Sequence, residues 1–169
     1  MEKKINYQQI LLSKLEEIKK KGEKPTLCLH ACCGPCFTIP YEIIKGFFKI
    51  AVIYNNSNIY PKEEHDRRLE EFKRYIKEIN ADVEFVEFPY DNLTYNKDLE
   101  PLASDKEGHE RCRICFRKRL SQGFAYAKEH FGGICGELIK KQQRYCDNRP
   151  FLEYFMCRTL YTYLCISQY

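Results

Sequence analysis

The stretch "TLCLHACCGPC", Thr26 to Cys36, decides the fold. Its first half has the apolar bias of a short buried strand, and Gly34-Pro35 ends it. Four cysteines, Cys28, Cys32, Cys33 and Cys36, fall within nine residues, so the turn after the strand carries chemistry as well. Two readings compete. "CGPC" at a strand end is a dithiol redox motif, in which Cys33 attacks and Cys36 resolves. Alternatively, the adjacent Cys32-Cys33 pair is half of a metal-cluster site whose other half lies elsewhere.

Working outward, the chain before this strand holds Ile10, Leu11, Leu15 and Ile18 at helical spacing among lysines and glutamates. That is an amphipathic helix, without the continuous apolar core of a secretory signal. After the cysteines, "FTIPYEIIKG" reads as a helix with Pro40 in its first turns and Gly46 at its close. "FFKIAVIYNN" is a second strand that ends in the polar "NNSN". "PKEEHDRRLEEFKRYIKEIN" is the clearest helix, with Pro61 at its start, acids in the first turn and Leu69, Phe72, Ile76 and Ile79 on one face. "DVEFVEFPYD" is a third strand, followed by the looser "NLTYNKDLEPLASDKEGHE" and a last helix, "RCRICFRKRLSQGFAYAKEHFGG".

Strands alternating with helices predict an α/β fold with a parallel sheet, whose ligands sit beyond the carboxyl ends of the strands. Cys32, Cys33 and "NNSN" all belong on that face. Residues 1–133 form one α/β domain carrying the candidate cysteines, and residues 134–169 read as a divergent C-terminal segment of the same domain. In that segment the four cysteines, Cys135, Cys146, Cys157 and Cys165, share no ligand-like spacing.

The net charge of +4 permits an acidic partner such as RNA without demanding one. Ten cysteines without a signal peptide fit a reducing cytoplasm, where clustered thiols mean metal or catalysis more often than disulfides. No stretch reads as a membrane span; the most apolar tail, 151–169, carries Glu153 and Arg158.

The dithiol reading suits a thioredoxin-like oxidoreductase, but tryptophan is absent from the chain and Cys112 and Cys115 are left without a role. The cluster reading uses both halves. Cys112-Arg113-Ile114-Cys115 opens a helix, and Arg111, Arg113 and Arg117 favour a negative cluster. Cys32 and Cys33 supply two further ligands. A zinc site on the same four thiolates, stapling an RNA-binding module, is the metal alternative. Cys28, inside the strand, reads as a small core residue, and His30 as a packing residue.

"LHACCGPC", "YNNSNIYPKEEHDRRLEEFKRY" and "ERCRICFRKRLSQGFAYAKEH", in that order over about residues 25–130, together resemble the QueH-type epoxyqueuosine reductases of tRNA queuosine synthesis. The resemblance implies a Rossmann-like sheet of the adenine-nucleotide α-hydrolase kind, incomplete at the C-terminus. The glycine-serine phosphate loop of ATP-using relatives is missing, so no ATP is expected. The resemblance assigns Cys32, Cys33, Cys112 and Cys115 as ligands of a [4Fe–4S] cluster, leaving Cys36 for a second metal ion or as a spectator.

It implies reduction of epoxyqueuosine at the wobble position, with the anticodon loop of a queuosine-family tRNA as partner and an electron donor the motifs do not identify. Asn55, Asn56, Asn58 and Tyr60 are the candidates to hold the nucleoside, and Arg67 and Arg68 to reach phosphate. Neither Glu64 nor Asp66 is singled out as the proton donor, and no catalytic residue is assigned. The resemblance breaks at Tyr145-Cys146-Asp147-Asn148, where the family carries tyrosine and then a redox-active Cys-Gly-Cys. Either the tail diverged, with Cys146, Cys157 or Cys165 replacing that pair, or a truncation or frame change altered it.

Overall fold

The computed structural model describes residues 7–131 and the backbone of Cys165–Ile166. Strands β1 (Thr26–His30), β2 (Lys49–Tyr54) and β3 (Val83–Glu87) are parallel, with β2 in the middle. Thr26 stands opposite Lys49 and Ile50 opposite Val83, so the three carboxyl ends lie along one edge. The two-residue β4 (Cys165–Ile166) runs antiparallel to β1 on its other side.

Helices connect the parallel strands because a parallel crossover needs length and a cover for each sheet face. α1 (Tyr7–Lys21) leads into β1, α2 (Gly34–Ile44) joins β1 to β2, and α3 (Lys62–Glu78) joins β2 to β3. Alternate strand residues Leu27, Leu29, Ile50, Val52 and Tyr54 pack with Leu11 and Leu15 of α1, Phe37 and Tyr41 of α2, and Leu69 and Phe72 of α3. The opposite face carries Cys28, Ala51 and Ile53, which pack with Phe124 and Ala127 of a later helix, α5 (Glu110–Phe131). Cys28 and Ala51 are small, and Gly123 lies where an added Cβ would meet Ile53 Cδ1 at 3.8 Å, so α5 seats close to the sheet. The α/β fold with a parallel sheet flanked by helices is therefore as expected from the strand–helix alternation.

Two local expectations need correction. α2 begins at Gly34, three residues before the expected start, because Pro35 occupies a first-turn position where no N–H is required. "CGPC" is thus a helix N-terminus with Cys33 as its extended cap residue, not a turn preceding a helix. The looser stretch after β3 contains α4 (Asn92–Lys97), capped by the Asp91 side chain accepting from Thr94 N, and a 3₁₀ turn over Glu100–Leu102. α4 is short, and Asn92 and Asn96 hydrogen-bond along it, so polar local bonds replace the apolar periodicity that would announce a helix. The reading of 134–169 lies outside the described residues, except for the backbone of β4.

Candidate metal centre

The first half of the site is fixed by the sheet. Ala31 N donates to Ile53 O at 3.1 Å, continuing the β1–β2 ladder to the edge of the cysteine turn. Beyond it α2 starts against α3. Gly34 permits this approach, since a Cβ there would touch the Tyr75 ring at 3.4 Å. Thr38 Oγ1 lies 3.0 Å from Gly34 O and 2.9 Å from the Tyr75 hydroxyl, which ties the first turn of α2 down.

The result is a thiol cluster. Cys32 Sγ is 3.8 Å from Cys33 Sγ and 3.4 Å from Cys36 Sγ, and all three sulfurs lie within 4.8 Å of one another. Hydrogen bonding from Cys36 draws the Cys32 thiol down to about 6 against burial, with Cys33 and the charges of Arg119 and Arg68 adding to the effect. Cys36 is pushed up by the same hydrogen bond and by burial. Cys28, by contrast, is buried in β1 and pushed up to about 12 by desolvation, with Glu84 adding, as befits a core thiol.

The second half is built on α4 and α5. Asp105 Oδ2 accepts from Arg111 N at 3.1 Å in the first turn of α5. Gly108, at φ +86°, takes a left-handed turn that other residues resist, and its N–H points at Cys112 Sγ, 3.3 Å away. One turn on, the buried Tyr95 donates its hydroxyl to Cys115 O at 2.5 Å and lies 3.2 Å from Cys115 Sγ. Lys118 Nζ holds that tyrosine by donating to Tyr95 O at 2.8 Å, while also pairing with Asp98 at 2.8 Å. Cys112 and Cys115 face a cavity of about 880 Å³ whose wall also includes Asn58, Asn92, Asn96 and Arg111. Asn58 Oδ1 is buried there with no hydrogen-bond partner among the described residues.

The two halves meet through the end of β2 and through Arg119. Asn56 Nδ2 donates to Ala31 O at 3.1 Å, and Asn55 Nδ2 reaches Gln122 Oε1 at 2.7 Å and Arg119 O at 3.4 Å. The charge of Arg119 lowers the Cys32 thiol and also acts on the Tyr95 hydroxyl, the partner of Cys115. The sulfurs of Cys32, Cys33 and Cys36 form a donor set suited to a metal–thiolate centre, with Cys112 and Cys115 on the cavity wall and Arg119 as a buried cation.

The remaining candidates separate. Asn55 and Asn56 are each 2% exposed; their Nδ2 groups donate to Gln122 and to the Ala31 carbonyl, and Asn56 Oδ1 has no hydrogen-bond partner among the described residues. Tyr60 is 77% exposed. Arg67 and Arg68 both bind the Glu64 carboxylate, at 2.8 and 2.7 Å, and they hold it down to about 2. Asp66 is held low by Lys62 and His65, so both acids are ionised at neutral pH. His30 accounts for itself as a packing residue, its Nε2 lying 3.0 Å from Asn55 O.

Sequence reasoning missed Tyr95 and Arg119, and it left Cys36 open between a second metal ion and a spectator. Arg119 had a signal, since positions 112, 115 and 119 recur on one helix face. Cys36 follows Cys32 by four residues, a spacing that acquires meaning only once α2 is known to start at Gly34. Tyr95 had none.

Comparison with known proteins bears on this arrangement. The model of the epoxyqueuosine reductase QueH family matches residues 27–146. An epoxyqueuosine reductase QueH from Streptococcus pyogenes serotype M1 is 35% identical over 123 residues, covering 70% of this chain and 48% of the relative. One from Staphylococcus aureus is 34% identical over 142 residues, covering 80% of this chain and 59% of the relative. One from Dehalococcoides mccartyi is 36% identical over 108 residues, with 63% and 56% covered. The chain thus spans about half to six-tenths of the length of these relatives.

Proposed function

We propose, from the premise that this chain belongs to the epoxyqueuosine reductase QueH family, that it reduces epoxyqueuosine to queuosine in tRNA. The observation that carries the proposal is the cluster of Cys32, Cys33 and Cys36 sulfurs within 4.8 Å of one another in a chain that matches this family. Cys32 and Cys33 sit at the carboxyl end of β1, and Cys112 and Cys115 at the first turns of α5. These four thiolates would hold a [4Fe–4S] cluster on a Rossmann-like sheet, and Cys36, 3.4 Å from Cys32, would be the ligand for a second metal ion.

The reaction breaks both C–O bonds of the epoxide, forms a carbon–carbon double bond and releases the oxygen as water, consuming two electrons and two protons. A cluster held by these cysteines would supply the electrons one at a time. The chain's own residues bind and orient. The 880 Å³ cavity is large enough for a nucleoside splayed out of the anticodon loop, and Cys112 and Cys115 line it. The unpaired Asn58 Oδ1 would accept from the nucleoside, and Arg111 would meet its phosphate. The exposed Tyr60 offers a ring for stacking a neighbouring base, and Arg68 and Arg67 extend the cationic edge.

Glu64 and Asp66, both ionised at neutral pH, hold no proton to give. No helix among the described residues is long and apolar enough to cross a membrane, and a reducing cytoplasm is the compartment these free thiols require.

The test is anaerobic reconstitution with iron and sulfide, quantifying iron and zinc together with the visible spectrum, followed by incubation with epoxyqueuosine tRNA and a reductant. The expected result is a brown protein with about four irons that bleaches with dithionite and forms queuosine. A folded, colourless, iron-free protein would sink the proposal, and zinc in its place would turn it toward an RNA-binding module. Redox activity that survives Cys112→Ala but dies with Cys33→Ala would turn it toward a thioredoxin-like dithiol.

A further inference from the structure

A buried guanidinium without a carboxylate is expensive, because the charge loses water and gains no ion in return. Arg119 is such a group. It is 7% exposed, its Nε has no hydrogen-bond partner, and no acidic side chain pairs with it among the described residues. Its guanidinium carbon lies over the Phe116 ring at 4.7 Å, a contact that shields it further from solvent. It lies by the Tyr95 hydroxyl, which is itself 3.2 Å from Cys115 Sγ, and its charge also reaches the Cys32 thiol. Among the described residues the fold has therefore given this buried cation no carboxylate and has set it within electrostatic reach of both cysteine sets.

We infer that Arg119 is the resident counter-charge of the thiolate centre, a positioning residue that draws the two cysteine pairs onto one cluster and sets how readily the cluster accepts an electron. The inference rests on the cluster reading given above. A cluster held by thiolates is net negative and becomes more so on reduction, so a fixed cation beside it favours the reduced form. Removing the charge then makes the electron harder to add, and the midpoint potential falls. Arg119 touches the ligand sulfurs' surroundings and takes no part in bond breaking.

Two substitutions separate charge from shape. Arg119→Gln keeps a long polar side chain without charge, and Arg119→Lys keeps the charge without the planar fork. Wild-type and variant proteins are reconstituted with iron and sulfide, and each is measured for iron per chain, for fold by circular dichroism, and for midpoint potential by dye-mediated redox titration. The expected result is a more negative potential in Arg119→Gln and a near wild-type potential in Arg119→Lys. An Arg119→Gln protein with full iron and an unchanged potential overturns the inference.

If Arg119→Gln fails to fold or to take up iron, Arg119→Lys decides. Restored iron and potential uphold the role of charge, and failure of both variants alike overturns it. Wild-type protein that takes up no iron overturns the cluster reading itself, and this inference with it, before Arg119 is changed.

Discussion

The two cysteine pairs are held in opposite ways. Cys32 and Cys33 follow a strand paired in parallel with β2 and carrying a full apolar face, so the sheet and the contacts of Phe37 and Phe72 fix them. Cys112 and Cys115 follow an irregular stretch and are held by single polar contacts from Gly108, Tyr95, Lys118 and Asp105. The first half is stabilised by area removed from water and the second by a few hydrogen bonds in specific geometry. Disturbing the first should therefore unfold the protein, whereas disturbing the second should loosen the site within a folded one.

The strongest break is Cys112→Ala, which removes one ligand while leaving the sheet untouched. Iron uptake should fall to background with the melting temperature of the metal-free protein nearly unchanged, as read by iron assay beside thermal denaturation. Phe72→Ala should do the reverse. It empties a fully buried site shared with Phe37, Tyr54 and Phe85, and should cost about 3–5 kcal/mol in urea denaturation. A loss below 1 kcal/mol would contradict the core assigned to that face.

Tyr95→Phe probes the second half more gently. Losing the hydroxyl leaves the Cys115 carbonyl short of its donor, at about 1–2 kcal/mol. The cluster should be stripped by chelator several-fold faster, and an unaltered stripping rate would show that the polar staple does not hold the site.

The smallest effect concerns acid. Glu64 is held near 2 in the folded chain against an ordinary value of 4.5, so its contribution is present above pH 4.5 and is lost as pH falls toward 2. Glu64→Gln should lower the melting temperature slightly at neutral pH, and the difference should vanish near pH 2. A difference that grew toward acid would contradict the sign. The pair is largely solvated, so the effect stays small.

The same contrast explains what was legible in the sequence. Parallel strands write themselves as apolar runs, and α3 as a clean amphipathic period with Glu63 and Glu64 in its first turn, so the sheet and its helices were readable. The cysteines, too, were visible by spacing. The polar half was not. α4 lacks a period, and whether Arg119 is solvated or buried depends on how closely α5 seats on Cys28, Ala51 and Ile53, which no local pattern encodes. "NNSN" shows the limit of such reading: Asn55 and Asn56 are buried, with Nδ2 of each tied to another segment, while Asn58 lines the cavity, and the run itself does not tell these places apart.

Those two asparagines also impose a schedule. Asn56 reaches back 25 residues to Ala31, whereas Asn55 reaches forward 67 residues to Gln122. At a synthesis rate of ~5–20 residues per second, roughly 3–13 s pass between the emergence of Asn55 and that of its partner. For most of that interval the β1 thiols are already on the nascent chain while their counterparts on α5, Cys112 and Cys115, do not yet exist. Maturation of the centre is thus bound to the end of translation of this region, and the early thiols depend on the cell's reductants, not on the fold, to reach it unoxidised.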